Sequence, residues 1–234
     1  MDVSFYSTKV HALVLKQRQD MEAAYERHSA VNAFWAFVDL KASSNYRIAR
    51  GPKLGYVRGE TFFSLVRAVI ASAEDVRLIK EIGDAVLLSC RDFGPLFESL
   101  LLIDHVAFQI ASLADDSEFP FGVRAGISNG PAKKLLREKE DFLGRPIDEL
   151  ARVMTVRPPN TNLLLHESAY TAAGDQLRDY TEFMQISEAI MMSASMTKGA
   201  AGPIYYREAL LNRPALSAFR GAFGAWRGQQ SQAS

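Results

Sequence analysis

The chain of 234 residues has a single cysteine, Cys90, so no disulfide can form within it. A lone thiol suits a reducing compartment. Net charge is absent as well, with 27 Lys plus Arg against 27 Asp plus Glu. No bulk field therefore draws the chain to nucleic acid or to an anionic membrane, and any phosphate site must be local. Long apolar runs are lacking: the most apolar stretch, Leu100 to Leu113, is interrupted by Asp104 and His105. Spanning a bilayer takes roughly 18–20 apolar residues. The N-terminal segment has no basic start, uninterrupted apolar run or cleavage site of a signal peptide. Neither GxGxxG nor GxxxxGK[ST] occurs, which excludes the common nucleotide-binding loops. The expectation is a cytoplasmic protein with no membrane or nucleic-acid partner.

What is present is enough apolar side chain for one full core, 48% of residues. Val10, Leu13, Val14, Met21, Ala24 and Tyr25 recur at helical spacing and predict a helix over residues 8–30. AFWAFVDL (33–40) reads as a buried strand ending in an acid, and 41–59, with Gly51, Pro52 and Gly55, as at least partly loop. Residues 60–73 and 96–113 read as helices. Residues 76–90 read as two strands hinged at Gly83-Asp84, and 121–130 as a strand leading into a glycine turn. PAKKLLREKED is charged, a loop or short helix. Pro146 opens a helix over 143–155, TNLLLHESAY is strand then helix, and 202–208 is a last strand. The irregular alternation of strands and helices, with one hairpin, favours an α+β fold with helices on one face of a sheet.

Two acids stand at strand ends, Asp39 and Asp84. Carboxylates on rigid elements beside loops can hold hard divalent cations through oxygen. A pair of such metals can activate a hydroxyl and neutralise a leaving group at phosphorus. Each acid taken alone reads equally well as an ordinary strand-end residue. His11, His28, His105 and His166 are scattered without metal-ligand spacing, and Ser43 and Ser44 have no neighbouring His–Asp pair to activate them. Phe219, Phe223 and Trp226 form a stripe for docking a C-terminal helix on its own domain or on a dimer mate.

FVDLKASS (37–44), KEIGD (80–84), VRAGISNG (123–130), DFLGRPIDELAR (141–152) and TKGAAGPIYY (197–206) follow the order and spacing of class III nucleotidyl cyclases. The resemblance covers about residues 33–207. It implies a ferredoxin-like cyclase domain at 33–207, a sheet with helices packed on it. An N-terminal helix (1–32) precedes it, and a C-terminal helix with a flexible tail (208–234) follows. It also implies a homodimer with composite active sites and two divalent metal ions, Mn²⁺ or Mg²⁺. Carried over residue by residue, Asp39 and Asp84 hold the metals with the Leu40 carbonyl, and the turn from Lys41 to Ser44 presents N–H groups to phosphates. Lys80 and Asp141 contact the base, Arg152 steadies charge on the α-phosphate, and Lys198 holds the triphosphate. Asp148 stands where the family has an asparagine that donates to the ribose, and a carboxylate only accepts.

A second departure follows Asp39. KASSNYRIARG, then GYVRGETFF, looks most like the pyrimidine cyclases of bacterial anti-phage signalling. Tyr46 or Arg50 could fill the space a single-ring base leaves and contact its edge, which implies UTP as substrate and cyclic UMP as product. Leu54 stands where that subgroup's pattern has an aromatic or histidine. The alternatives are an adenylate cyclase, favoured by Lys80 and Asp141, and a catalytically inactive cyclase fold serving as a regulatory module.

Overall fold

A computed structural model of the chain describes residues 3–113, 116–135, 141–156, 161–193, 200 and 202–216. Side-chain alternation along β1 (Ala30–Leu40) sets the architecture. Phe34, Ala36, Val38 and Leu40 point to one face of the sheet and are buried. Ala33, Trp35, Phe37 and Asp39 point to the other. A strand buried on both faces belongs at the centre of a sheet, and β1 lies between β3 (Ala85–Cys90) and β4 (Val123–Lys134), antiparallel to both. The order is β2 (Arg77–Ile82), β3, β1, β4, β6 (Leu163–His166), β9 (Tyr205–Leu211), β7 (Met184–Ile186). The two-residue strands β5 (Phe142–Leu143) and β8 (Ile190–Met191) pair with β4 and β9. Among the described residues only β4 and β6 run parallel.

The first face is closed by α3 (Pro52–Ile70), α4 (Phe93–Leu113) and α6 (Glu167–Ala173), whose Phe62, Phe93, Leu96, Phe97 and Ala169 join the main core. The second face carries α5 (Arg145–Val153), whose Ile147 and Leu150 pack on Ala33, Trp35 and Leu87. Helices therefore lie on both faces, correcting the one-sided sheet expected from the sequence. Close approach is possible because Gly126 has no side chain. A Cβ there would lie 2.8 Å from Met154 Sδ and 3.0 Å from a Leu150 methyl. The buried Trp35 indole is satisfied by donating to the Gly130 carbonyl at 2.9 Å.

Other expectations are corrected in detail. Residues 41–59 are largely helical: α2 (Ser43–Arg50) ends at Gly51, at φ 88°, and Pro52 starts α3. Gly130 is no turn, since β4 continues through it to Lys134. Asp104 and His105 do not interrupt α4, which is long and apolar enough by composition to cross a bilayer. Half of that stretch is packed inside the fold, which accounts for its apolar character. The helix α1 (Val3–Arg27) is exposed over residues 9–23. Strands β7 and β8 and the 3-10 helix Gly174–Tyr180 were not foreseen. A boundary at residue 207 falls inside β9. Phe219, Phe223 and Trp226 lie outside the described residues.

Candidate active site

The hairpin between β2 and β3 turns at Gly83-Asp84, with Gly83 at φ 63°, a value open to glycine at the first position of a tight hairpin. Register then does the rest. Asp39 lies opposite Ala85, and the Leu40 N–H donates to the Asp84 carbonyl at 3.0 Å. Two acids separated by more than forty residues of chain thus sit at one end of adjoining strands. Their carboxylates have different partners: Asp84 accepts from the Ser43 hydroxyl, and Asp39 accepts from Arg124 at 2.7 Å. Arg124 faces Asp39 across the β1–β4 pair and also donates to the Val156 carbonyl at 3.2 Å.

The chain beyond Asp39 forms a small cradle. Ala42 takes the left-handed conformation, φ 54° and ψ 22°, and Ser43 opens α2. A left-handed residue followed by a helix start aims successive N–H groups into one concavity, an arrangement suited to anions. Beside it is a cavity of about 450 Å³ lined by Ser43, Ser44, Arg47, Tyr56 and Asp84 among others. The oxygen donors fit a hard cation. Among the described residues no cluster of three or more His, Cys, Asp or Glu exists, so a metal held here would depend on two carboxylates, the Leu40 carbonyl and substrate phosphates. Small hard cations commonly bind that way.

Lys80 and Asp141 meet: Nζ to Oδ1 is 2.5 Å, with Asp141 buried and also accepting from the Phe142 N–H at 2.8 Å. A register shift between Leu78 and Lys80 sets the lysine opposite Leu87, on the face that carries α5. On α5, Asp148 is exposed and Arg152 half-buried, four residues apart and on the helix side away from Leu150. Glu149 on the same helix pairs with Arg145 at 2.7 Å and with His166 at 3.3 Å. Lys198 lies outside the described residues.

Arg50 has a different occupation from the one its sequence position suggested. Its fork meets Asp116 at 2.9 and 3.0 Å and Glu118 at 2.8 Å. Tyr46 stacks edge-on against Phe119 and lies under Arg58, whose guanidinium is 4.5 Å from the ring centre. These contacts tie α2 to the segment before β4.

Three residues escaped the sequence reading: Arg47, Arg58 and Arg124. Arg47 lies one helical turn beyond Ser43, a spacing that could have flagged it. Arg58 is buried in α3 and donates to the carbonyls of Phe119, Pro120 and Lys41 at 2.9, 3.0 and 3.2 Å. Burial lowers its pKa, while Tyr46 and Asp116 oppose the shift. His166, which has no metal-ligand spacing in the sequence, is buried within a polar chain. Its Nδ1 accepts from the Ser168 N–H (3.1 Å) and hydroxyl (2.7 Å), and Ser168 Oγ accepts from the Asn129 N–H (3.0 Å). This requires the tautomer protonated at Nε2, which faces Glu149. Burial lowers the His166 pKa, with Glu149 pulling it up and Arg145 down.

No protein-family model matches the chain. A pH-sensitive adenylate cyclase of Mycobacterium tuberculosis is 32% identical over 141 residues, 60% of this chain, and the chain covers 32% of that relative's length. Among solved structures, a bacterial light-regulated adenylyl cyclase aligns with TM-score 0.62 at 13% identity, over 92% of this chain and 71% of that one. The guanylyl cyclase Cya2 aligns with TM-score 0.63 at 12% identity, over 80% and 96%. A Trypanosoma brucei adenylate cyclase aligns with TM-score 0.61 at 15% identity, over 76% and 87%.

Proposed function

We propose, for a domain with the class III cyclase fold, that it converts a nucleoside triphosphate to a 3′,5′-cyclic nucleotide and pyrophosphate. The observation that carries this is the placement of Asp39 and Asp84 at one end of adjoining strands, beside the N–H cradle of Ala42 to Ser44. Two divalent cations, Mn²⁺ or Mg²⁺, bound by Asp39, Asp84 and the Leu40 carbonyl would supply Lewis-acid activation of the 3′-hydroxyl and neutralise the leaving pyrophosphate. The chain's own groups do the positioning. Backbone N–H groups of the cradle orient the β- and γ-phosphates, with Arg47 beside them in the cavity. Arg152 and Lys198 complete the charge stabilisation from a second copy, giving a homodimer with two composite sites. No protein nucleophile is needed.

UTP is the preferred substrate in this reading, and cyclic UMP the product, a second messenger in anti-phage defence. Support comes from the segment after Asp39, whose pattern resembles pyrimidine cyclases. With Arg50 engaged by Asp116 and Glu118, recognition of the uracil edge falls to groups around the cavity, Arg47 and Tyr56 among them. A second reading, ATP to cyclic AMP, is favoured by one observation: Lys80 and Asp141 stand together as a ready donor and acceptor for adenine. Incubating the purified chain with Mn²⁺ and UTP should release cyclic UMP and pyrophosphate. Release of inorganic phosphate and UDP instead would make it a hydrolase.

A further inference from the structure

Asp104 is a buried carboxylate in the middle of α4, a helix otherwise built for the core. A charge in such a place is costly unless it is paired and hydrogen-bonded. Its partners come from two distant parts of the chain. Arg213, after the last strand, pairs with one oxygen. The Asn162 amide, at the entrance to β6, donates to the other at 3.1 Å. The Asn162 carbonyl oxygen in turn accepts from the Lys41 ammonium.

Lys41 stands between Leu40 and the left-handed Ala42. A non-glycine residue in that region is strained and persists only where its surroundings over-determine it. Lys41 is held at three points. Its N–H donates to the Gly122 carbonyl at 2.9 Å, its carbonyl accepts from Arg58 at 3.2 Å, and its ammonium is bound by Asn162. The first two fix the backbone locally, whereas the third ties it to Asp104 and, through it, to Arg213.

We propose that Lys41, Asn162, Asp104 and Arg213 form a positioning chain that holds the strained phosphate cradle in its binding shape. Lys41 is thus an anchor and not a phosphate ligand, and the segment at Arg213 is coupled to the active site. The kinetic arm of this inference rests on the cyclase reading, and the structural arm does not.

The test is a double-mutant cycle on the full chain, with Lys41→Met, Arg213→Met and the pair. Each single change should lower kcat about tenfold, and the pair should lose little more, because both break one chain. Arg213→Lys should recover most of the loss. In the free protein, amide hydrogen exchange at Tyr46, whose N–H donates to the carbonyl of the left-handed Ala42 at 2.8 Å, should quicken about tenfold in either single variant, without loss of protection in β1. Asn162→Ala, which cuts only the middle link, should reproduce the exchange result if Arg213→Met folds poorly. Losses that multiply in the double variant, or unchanged exchange at Tyr46 in Lys41→Met, overturn the proposal. A wild-type chain that cyclises no triphosphate removes the cyclase reading and leaves the exchange experiment to decide the anchor.

Discussion

The two faces of the sheet obey different rules. On the face under α3, α4 and α6, every β1 residue from Phe34 to Leu40 that points inward is apolar and buried. On the face under α5 the same strand runs from Ala33 and Trp35, buried, through Phe37, partly buried, to the carboxylate of Asp39. Arg124 and Lys80 stand on that second face, and α5 presents Asp148 and Arg152 outward from it. One face is closed packing. The other is left partly uncovered and bears Asp39, Arg124 and Lys80, while the cavity lined by Ser43, Arg47, Tyr56 and Asp84 opens at the strand ends beside α3. Substitutions should therefore separate stability from turnover according to whether they touch the closed packing or the charged groups at the strand ends and on the open face.

The sharpest break in that comparison comes from the carboxylates. Asp84→Asn keeps an oxygen for the Ser43 hydroxyl and should shift Tm by no more than about 4 °C, yet lower turnover at least about a thousandfold, roughly 4 kcal/mol. Phe97→Ala is its counterpart on the closed face, where the ring stacks 4.9 Å from Phe93 and 4.8 Å from Tyr180. It should cost about 3–5 kcal/mol in denaturant unfolding. Near-normal turnover in Asp84→Asn with Mn²⁺ would remove the metal assignment.

A composite site predicts rescue between two inactive chains on the open face. Asp39→Asn mixed with Arg152→Ala should regain up to about a quarter of wild-type activity, since half the dimers are mixed and each has one intact site. Absence of rescue, with subunit exchange demonstrated by mass, would place the whole site in one chain. Smaller in effect is Lys80→Ala. If the Lys80–Asp141 pair reads the base, the ratio of rates with ATP and UTP should change by about tenfold, against less than about twofold for a surface lysine.

The smallest effect concerns pH. Burial depresses the His166 pKa, so the native state holds the ring neutral while the unfolded chain binds a proton below pH about 6.5. Stability should accordingly fall as pH drops through about 6.5 and level off below the depressed native value. His166→Asn, which retains a side-chain acceptor for the Ser168 N–H, should flatten that part of the Tm profile between pH 7.5 and 5.

Much of this division was legible in the sequence, and the reasons are specific. The unbroken apolar run of AFWAFVDL announced a buried strand ending in an acid, and Gly83-Asp84 announced the hairpin that brings its acid to Asp39. Pro146 and the spacing of Asp148 and Arg152 announced α5. What escaped depends on tertiary placement. Gly51, Pro52 and Gly55 resembled loop because local propensity cannot see that two helices meet at Gly51. Arg50 looked available for a base because nothing in sequence links it to Asp116 and Glu118, more than sixty residues on. Asp104 looked like a break in an apolar run, and only the fold brings Asn162 and Arg213 to it.

The account turns most directly on one competition: all four ribonucleoside triphosphates at equal concentration with Mn²⁺, products identified by mass, for the wild-type chain and for Asp84→Asn. The expected result is cyclic UMP as the main product of the wild-type chain, and no cyclic nucleotide from the variant. Cyclic AMP as the main product would transfer base selection to Lys80 and Asp141 while keeping the cyclase assignment. No cyclic nucleotide from the wild-type chain, or the same yield from Asp84→Asn, would contradict the assignment of Asp39 and Asp84 as the centre of a nucleotidyl cyclase.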